Sequence, residues 1–271
     1  MKSTRRFGFW LMALAGVVVV SSSFSARPSP GSITVVCDHD EAPSKAERSS
    51  KIGLSTLVRF QGAVILSDIG GESCALEKSL DELGFDATSI DAIVLSRNSP
   101  DYVRASAGVL KSAAQPPKVY VPAPAPGDMK QRVPRYEIVA VSKPTSIVPN
   151  AWIMGPLEWK HGSRKTAGQV LVLHQPDGLV VNVGCSHPGV VSVVQRVREA
   201  FGYRKIKILA GGIHLQGRSK SEVKEISLRL QQMGVEGLAL SHCTGRRALK
   251  VFRAEWGDRM VSFDRGDTID F

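Results

Sequence analysis

The sequence predicts an α/β domain of two β-sheets packed face to face, with helices on the outside. Three observations predict it. Strand-like and helix-like segments alternate from Ile33 to Leu110. The stretch over residues 135–183 is rich in strands alone, and the alternation returns from Val190 onward. No linker-like stretch divides residues 27–271, so they read as one domain. The chain has 271 residues, 43% hydrophobic and 22% charged, an ordinary globular composition with material for a large core.

The elements follow in order. Residues 33–37 are β-branched and bounded by polar residues, a strand. Residues 54–60 and 63–67 flank Gln61-Gly62, a hairpin signal. Ser73 opens a helix with Leu76, Leu80 and Leu83 on one face, ended by Gly84. The stretch "AIVLSRNSPDYVRASAGVL" reads as a buried strand, a loop broken by Asn98, Ser99 and Pro100, and a helix carrying Val103, Ala107 and Leu110. "PPKVYVPAPAP" gives a short strand ended by prolines. The middle offers strands at 138–141, 146–148, 151–154, 169–174 and 179–183. Val190, Val193, Val194, Val197 and Phe201 then mark one helix face, and residues 206–209 a buried strand. Ser219 and Glu222 form a capping box for a helix carrying Val223, Ile226, Leu230 and Met233, with Gly234 at its end. A strand at 238–240 and a helix from Arg246 close the pattern.

Residues 1–26 stand apart. Lys2, Arg5 and Arg6 precede an apolar run over residues 7–20, and small residues lead to Ala26. This is the layout of a signal peptide, or of an N-terminal membrane anchor if the serines extend the run. It predicts export to a periplasmic or other extracytoplasmic compartment. Arg5-Arg6 resembles a twin-arginine pair, although the residues after it fit that signal poorly. The chain carries +10, and residues 27–271 still carry +7, which reads first as a soluble surface and second as a preference for anionic partners such as a phosphorylated small molecule, acidic lipid or nucleic acid. Dispersed lysines and arginines, 6% aromatics and no recognisable motif argue against nucleic acid. Membrane contact is expected only through the N-terminal segment. Cys37, Cys74, Cys185 and Cys243 form no C-x-x-C pair, which excludes a zinc ribbon and leaves disulfide pairing open.

Candidate site residues sit just past the apolar strands. Asp68 follows "VILS", Arg97 and Asp101 follow "IVLS", and His187, His214 and His242 follow three strands of the last third. If those strands are parallel neighbours, their ends gather two carboxylates and three of the six histidines on one rim. Cys185 and Cys243 lie beside His187 and His242 and read as buried thiols facing each other, with a disulfide or a soft metal ligand as alternatives. His161, in "EWKHGSRK", reads as a solvated residue of a charged loop, with a place over the cleft as the alternative. Ser99 has no Ser-His-Asp pattern to make it a nucleophile.

"ILSDIGG", "IDAIVLS", "GLVVNVGCSHPGVVSVV", "GGIHLQG" and "LSHCTGRRALKVF" occur in the order and spacing of the metallo-β-lactamase superfamily. Together they resemble its dihydropterin-6-methyl-aminobenzene ribofuranosyl phosphate synthase-like branch, linked to methanopterin biosynthesis, over nearly all of residues 32–271. The resemblance implies a four-layer αββα sandwich with a metal site on one rim, usually of two zinc or related ions. It casts His187 as the third histidine of the first metal site, Asp101 and His242 as members of the second, His214 as the "GGxHL" histidine and Asp68 as the "FDTG" aspartate. Whether His214 meets metal or substrate stays open. The family's His-x-His-x-Asp-His motif reads here as Arg97, Asn98, Ser99, Pro100, Asp101 and Tyr102.

The first site therefore keeps only His187, against the three protein ligands usual for a catalytic ion. Arg97 adds a fixed cation that opposes each unit of an ion's charge by roughly 4 kcal/mol at ~4 Å. A dinuclear centre is not expected. One weakly held zinc or other divalent ion on Asp101 and His242, with or without His214, is the most the rim would take, and Tyr102 is a poor substitute for imidazole. Two function classes follow. In one, the exported domain has lost or altered catalysis, and Arg97 either binds an anion or pairs with Asp101 or Asp68 in an inert rim. In the other, a mono-metal hydrolase acts on a phosphorylated or ester-like small molecule, with Asp101 and His214 as catalytic groups.

Overall fold

The computed structural model describes residues 31–39, 53–70, 76–97, 115–125, 127, 135–161 and 164–271. Hydrophobic alternation explains its layers. In β2 (Gly53–Phe60), Val58 faces the centre of the molecule and Leu57 faces outward. In β3 (Ala63–Ser67) and β4 (Ala92–Val94), Ile65, Ala92 and Val94 face the centre while Leu66 and Ile93 face out. Both faces of these strands are apolar, so the sheet must be covered on both sides.

The first sheet has seven strands in the order β14-β1-β2-β3-β4-β5-β6. Its other members are β1 (Ser32–His39), β5 (Lys118–Pro122), β6 (Ile138–Val141) and the C-terminal β14 (Thr268–Asp270). The second sheet runs β13-β12-β11-β10-β9-β8-β7, with β7 (Thr145–Val148), β8 (Ala151–His161), β9 (Arg164–Gln175), β10 (Gly178–Cys185), β11 (Ile206–Gly212), β12 (Val235–Leu240) and β13 (Met260–Val261). Between the sheets, Val58, Ile65 and Val94 pack against Ile153, Leu171, Val180, Ala210 and Ala239. Outside the first sheet, α1 (Leu76–Glu82) buries Leu76 and Leu80. Outside the second, α2 (Val190–Ala200), α3 (Lys220–Gln232) and α4 (Arg246–Trp256) cover the opposite faces of β10–β12. The predicted four-layer αββα sandwich is therefore the observed one.

Local signals hold where they were strongest. Gln61 and Gly62 both have positive φ, as a two-residue hairpin turn requires. The Ser219–Glu222 capping box is present with both of its reciprocal hydrogen bonds. The segment around His161 is corrected: β8 runs through His161 and pairs it with Arg164, so a hairpin replaces the expected loop. Ser73, Cys74 and the helix expected after Asp101 lie outside the described residues. Cys37 is disulfide-bonded, whereas Cys185 and Cys243 are not. Among the described residues, no helix is long and apolar enough to cross a membrane.

Two buried amides tie the sheets together. Asn182 Nδ2 on β10 donates to Thr56 Oγ1 on β2 at 2.7 Å. Gln169 Nε2 on β9 donates to the carbonyls of Leu95 and Tyr120 at 2.9 and 3.0 Å. Removing the second amide leaves two buried carbonyls each short of a donor. Gln169→Leu is expected to lower unfolding free energy by about 1–3 kcal/mol, read from the urea midpoint, with the native circular dichroism retained.

Candidate functional site

Strand polarity builds the rim. In the first sheet, β3 and β4 are parallel neighbours, so Asp68 and Arg97 emerge at the same end. In the second, β10, β11 and β12 are parallel neighbours and deliver His187, His214 and the turn beginning at His242. Of the residues expected on one rim, His187 and His214 come together there, and Asp68 lies beneath them.

The two sheets meet at this end. The backbone N–H of Gln169 donates to the Ser96 carbonyl at 2.8 Å, and Arg97 forms an isolated antiparallel bridge with Gly168. Gly168 is required by this approach, because a Cβ there would lie 2.9 Å from the Ser96 carbonyl oxygen and 3.1 Å from the Trp159 ring. The end of β4 is thus carried across to the second sheet. There Arg97 Nη1 hydrogen-bonds His187 Nε2. A guanidinium only donates, so this imidazole nitrogen accepts and directs its lone pair at Arg97. Trp159 stacks on the other side of His187, with centroids 5.5 Å apart and planes 12° from parallel.

A second cluster lies against the same imidazole. Cys185 Sγ is 3.3 Å from His187 Nε2, 4.0 Å from His214 Nδ1 and 2.9 Å from Cys243 Sγ. The His187 and His214 ring centroids are 4.2 Å apart. One donor atom each from Cys185, His187 and His214 lies within 4.8 Å of the others. His214 is exposed and has φ of 53°, a left-handed conformation that a non-glycine residue rarely holds. Its loop is fixed from both sides: Ile213 N donates to Thr244 Oγ1 at 3.2 Å, and Gln216 N to the Cys243 carbonyl at 3.3 Å.

Asp68 is beneath this surface, fully buried, rather than lining it. Its Oδ1 accepts the Ser96 N–H at 2.7 Å, while Oδ2 has no hydrogen-bond partner. Gly184 is the reason it fits, since a Cβ there would lie 2.4 Å from Asp68 Oδ2. Burial pushes the Asp68 carboxyl up to about 6, against the opposing effects of the Ser96 hydrogen bonding and the Arg97 charge. The contact with Cys185, followed by burial, pushes the Cys243 thiol up.

Of the remaining expected site residues, Asp101, Tyr102 and Ser99 lie outside the described residues. His242 opens a single 3-10 turn, His242–Thr244, and its side chain is not described. Arg97, expected to bind an anion or to pair with Asp101 or Asp68, hydrogen-bonds His187 among the described residues, and its charge also acts on Asp68. Trp159 is the contributor with no signal in the sequence beyond its place in a polar-looking segment, whereas Cys185 stands in the donor group as the soft ligand that was one of its alternatives.

The metal question can be put to these residues directly. The described residues do not assemble the donor set of a two-metal centre. Cys185, His187 and His214 fit one ion by number and type, a sulfur and two imidazoles being ligands suited to zinc. When bound, such an ion supplies Lewis-acid polarisation. The Arg97 guanidinium competes for the same His187 nitrogen, so ion and hydrogen bond are mutually exclusive at that atom.

No family model matches the chain. Its sequence is 32% identical over 94 residues, 35% of the chain, to 7,8-dihydropterin-6-methyl-4-(beta-D-ribofuranosyl)-aminobenzene-5'-phosphate synthase of Methanocaldococcus jannaschii. The match spans about a third of that relative's length (32%). Among solved structures, Tm1679, a metal-dependent hydrolase of the beta-lactamase superfamily, is similar at TM-score 0.69 and 23% identity, over 89% of this chain and 99% of that one. The metallo-beta-lactamase fold protein YhfI from Bacillus subtilis is similar at TM-score 0.62 and 14% identity, over the same shares of each chain. The chain therefore has the metallo-β-lactamase fold, and its structural neighbours include metal-dependent hydrolases.

The Asp68 carboxyl gives a pH prediction with a definite sign. Its folded pKa of about 6 lies above the ordinary 3.8, so the folded state holds the proton more tightly than the unfolded chain. The resulting stability is fully present below the ordinary value and is lost as pH rises through about 6, at most about 3 kcal/mol. Asp68→Asn keeps the oxygen that accepts from Ser96. It is expected to flatten this loss in urea midpoints measured across the window.

Proposed function

We propose that the protein is an exported metallo-β-lactamase-fold protein with a degenerate metal site, whose rim binds an anionic small molecule through Arg97. Catalysis by the usual two-metal route is lost or altered in this reading. Residues 1–26 act as a signal peptide or N-terminal anchor, and residues 27–271 form the domain. The carrying observation is the hydrogen bond from Arg97 Nη1 to His187 Nε2, which sets a permanent cation at the nitrogen an ion would need. A guanidinium offers donors in a planar fork matched to carboxylate or phosphate. The net charge supports an anionic ligand, as does an outer groove lined by Lys220, Lys224, Arg246, Arg247 and Lys250. The disulfide at Cys37 supports an oxidising, extracytoplasmic location.

A second reading is favoured by the Cys185, His187 and His214 group. It makes the protein a mono-metal hydrolase of a phosphorylated or ester-like small molecule. The family resemblance to a ribofuranosyl phosphate synthase bears on the substrate class only through the shared phosphate.

Titration calorimetry with inorganic phosphate and with zinc separates the readings. The first expects phosphate binding that Arg97→Ala weakens roughly ten- to a hundredfold, the loss of a charge-assisted contact of about 1.5–3 kcal/mol. It also expects little zinc on the wild-type protein and more on Arg97→Ala. Close to one equivalent of zinc on the wild-type protein, lost in His187→Ala and in Cys185→Ser, with no phosphate effect at Arg97, would favour the second.

A further inference from the structure

We propose that Cys185 and Cys243 are a dithiol–disulfide pair built into the rim, and that closing it dismantles the Cys185–His187–His214 donor group. The closure rests on the thiol geometry alone. Its consequence for an ion rests on the one-metal reading.

The geometry is unusual for its position in the sheet. Cys185 ends β10, and Cys243 lies in the turn after β12, with β11 between them. Strands two places apart in a sheet are separated by roughly 9.5 Å. The two sulfurs are nevertheless 2.9 Å apart. Two features bring them together. The middle strand ends in Gly211 and Gly212, and Gly212 is the register partner of Cys185, so no side chain stands between the thiols. The turn carrying Cys243 folds back over that end, held by Thr244 Oγ1 on the Ser241 carbonyl at 2.7 Å and by Gln216 N on the Cys243 carbonyl at 3.3 Å. A disulfide needs sulfurs ~2.05 Å apart, an approach of about 0.9 Å more, within reach of small side-chain rotations.

Access and environment also fit. The two cysteines are 5% and 7% exposed, near the surface without being sealed. A cavity of about 230 Å³ is lined by Ser186 and His187, which follow Cys185, and by Ile213 and His214. Elsewhere the same chain holds Cys37 in a disulfide, so an oxidising compartment that preserves that bond would also expose this pair to disulfide reagents.

The oxidant is a small-molecule or protein disulfide. One cysteine sulfur, as thiolate, attacks a sulfur of the reagent; the reagent's S–S bond breaks and one reagent thiol leaves, giving a mixed disulfide. The second cysteine sulfur attacks the first and expels the other reagent thiol. Two electrons and two protons pass from the dithiol to the reagent. Cys185 Sγ is then bonded to Cys243 and no longer a thiolate donor, which leaves two imidazoles where a held ion needs three protein ligands.

The test uses the full chain and oxidised glutathione. Protein that keeps the Cys37 disulfide, with Cys185 and Cys243 reduced, is expected to show two thiols and, after oxidation, none, with the mass of two hydrogens lost and a Cys185–Cys243 cross-linked peptide on digestion. Cys243→Ser and Cys185→Ser should each stop at a stable glutathione adduct. Two glutathione adducts on the wild-type chain would overturn the proposal. So would thiols that stay free both in the folded protein and after refolding in the same glutathione buffer, a control that removes any kinetic barrier to entry. In a parallel zinc titration, oxidation is expected to weaken binding at least tenfold. A cross-link in a protein that binds no zinc in either state would uphold the dithiol and discard only the one-metal reading.

Discussion

The rim depends on the hydrogen bond between Arg97 and His187. It joins the end of β4 in one sheet to the loop after β10 in the other, and it puts a fixed positive charge against an imidazole nitrogen that an ion would need. The bond exists because the backbone around it leaves no slack. Ser96 and Arg97 pair across the sheets with Gln169 and Gly168, Gln169 reaches back to two carbonyls of the first sheet, and Trp159 backs the imidazole. A lysine at position 97 would keep the charge but lose the planar fork that can meet an imidazole and an anion together.

Charge explains why the rim is arranged in two depths. Asp68 is buried directly below, hydrogen-bonded to Ser96 and held partly ionised by the Arg97 charge against the effect of burial. The thiols and the two imidazoles lie above, nearer solvent. The deep carboxylate therefore belongs to the framework of the rim, while the shallow sulfur and nitrogen atoms form the surface that a ligand or an oxidant would meet. Glycines make both layers feasible: Gly184 leaves room for the Asp68 carboxylate, and the end of β11 leaves room for the two sulfurs.

Much of the fold was legible in the sequence because its signals were periodic. Strands with β-branched runs, the Gln61-Gly62 turn and the Ser219–Glu222 box all carried a local mechanism. β13 and β14 escaped because two and three residues cannot display a period. The β8–β9 hairpin was read too short because its outer half places Glu158, Lys160 and Lys165 among its apolar residues and looks like a loop. The site was legible to the level of strand ends. Its partners were legible unequally: Cys185 and Cys243 already read as facing thiols from their places beside His187 and His242, whereas Arg97 meets His187 across 90 residues, which no local pattern announces. Among the described residues, the cross-sheet bridge at Gly168 carries Arg97 to the His187 imidazole, its charge also acts on the Asp68 carboxylate, and Asp101 lies outside those residues.

The most direct measurement is a crystal structure grown with both zinc and phosphate, with anomalous scattering used to locate zinc. The account predicts the Arg97 guanidinium still donating to His187 Nε2, with an oxyanion against its outer edge and no ion bridging the rim. Two strong zinc peaks a few ångströms apart, with Arg97 turned away from His187, would contradict it.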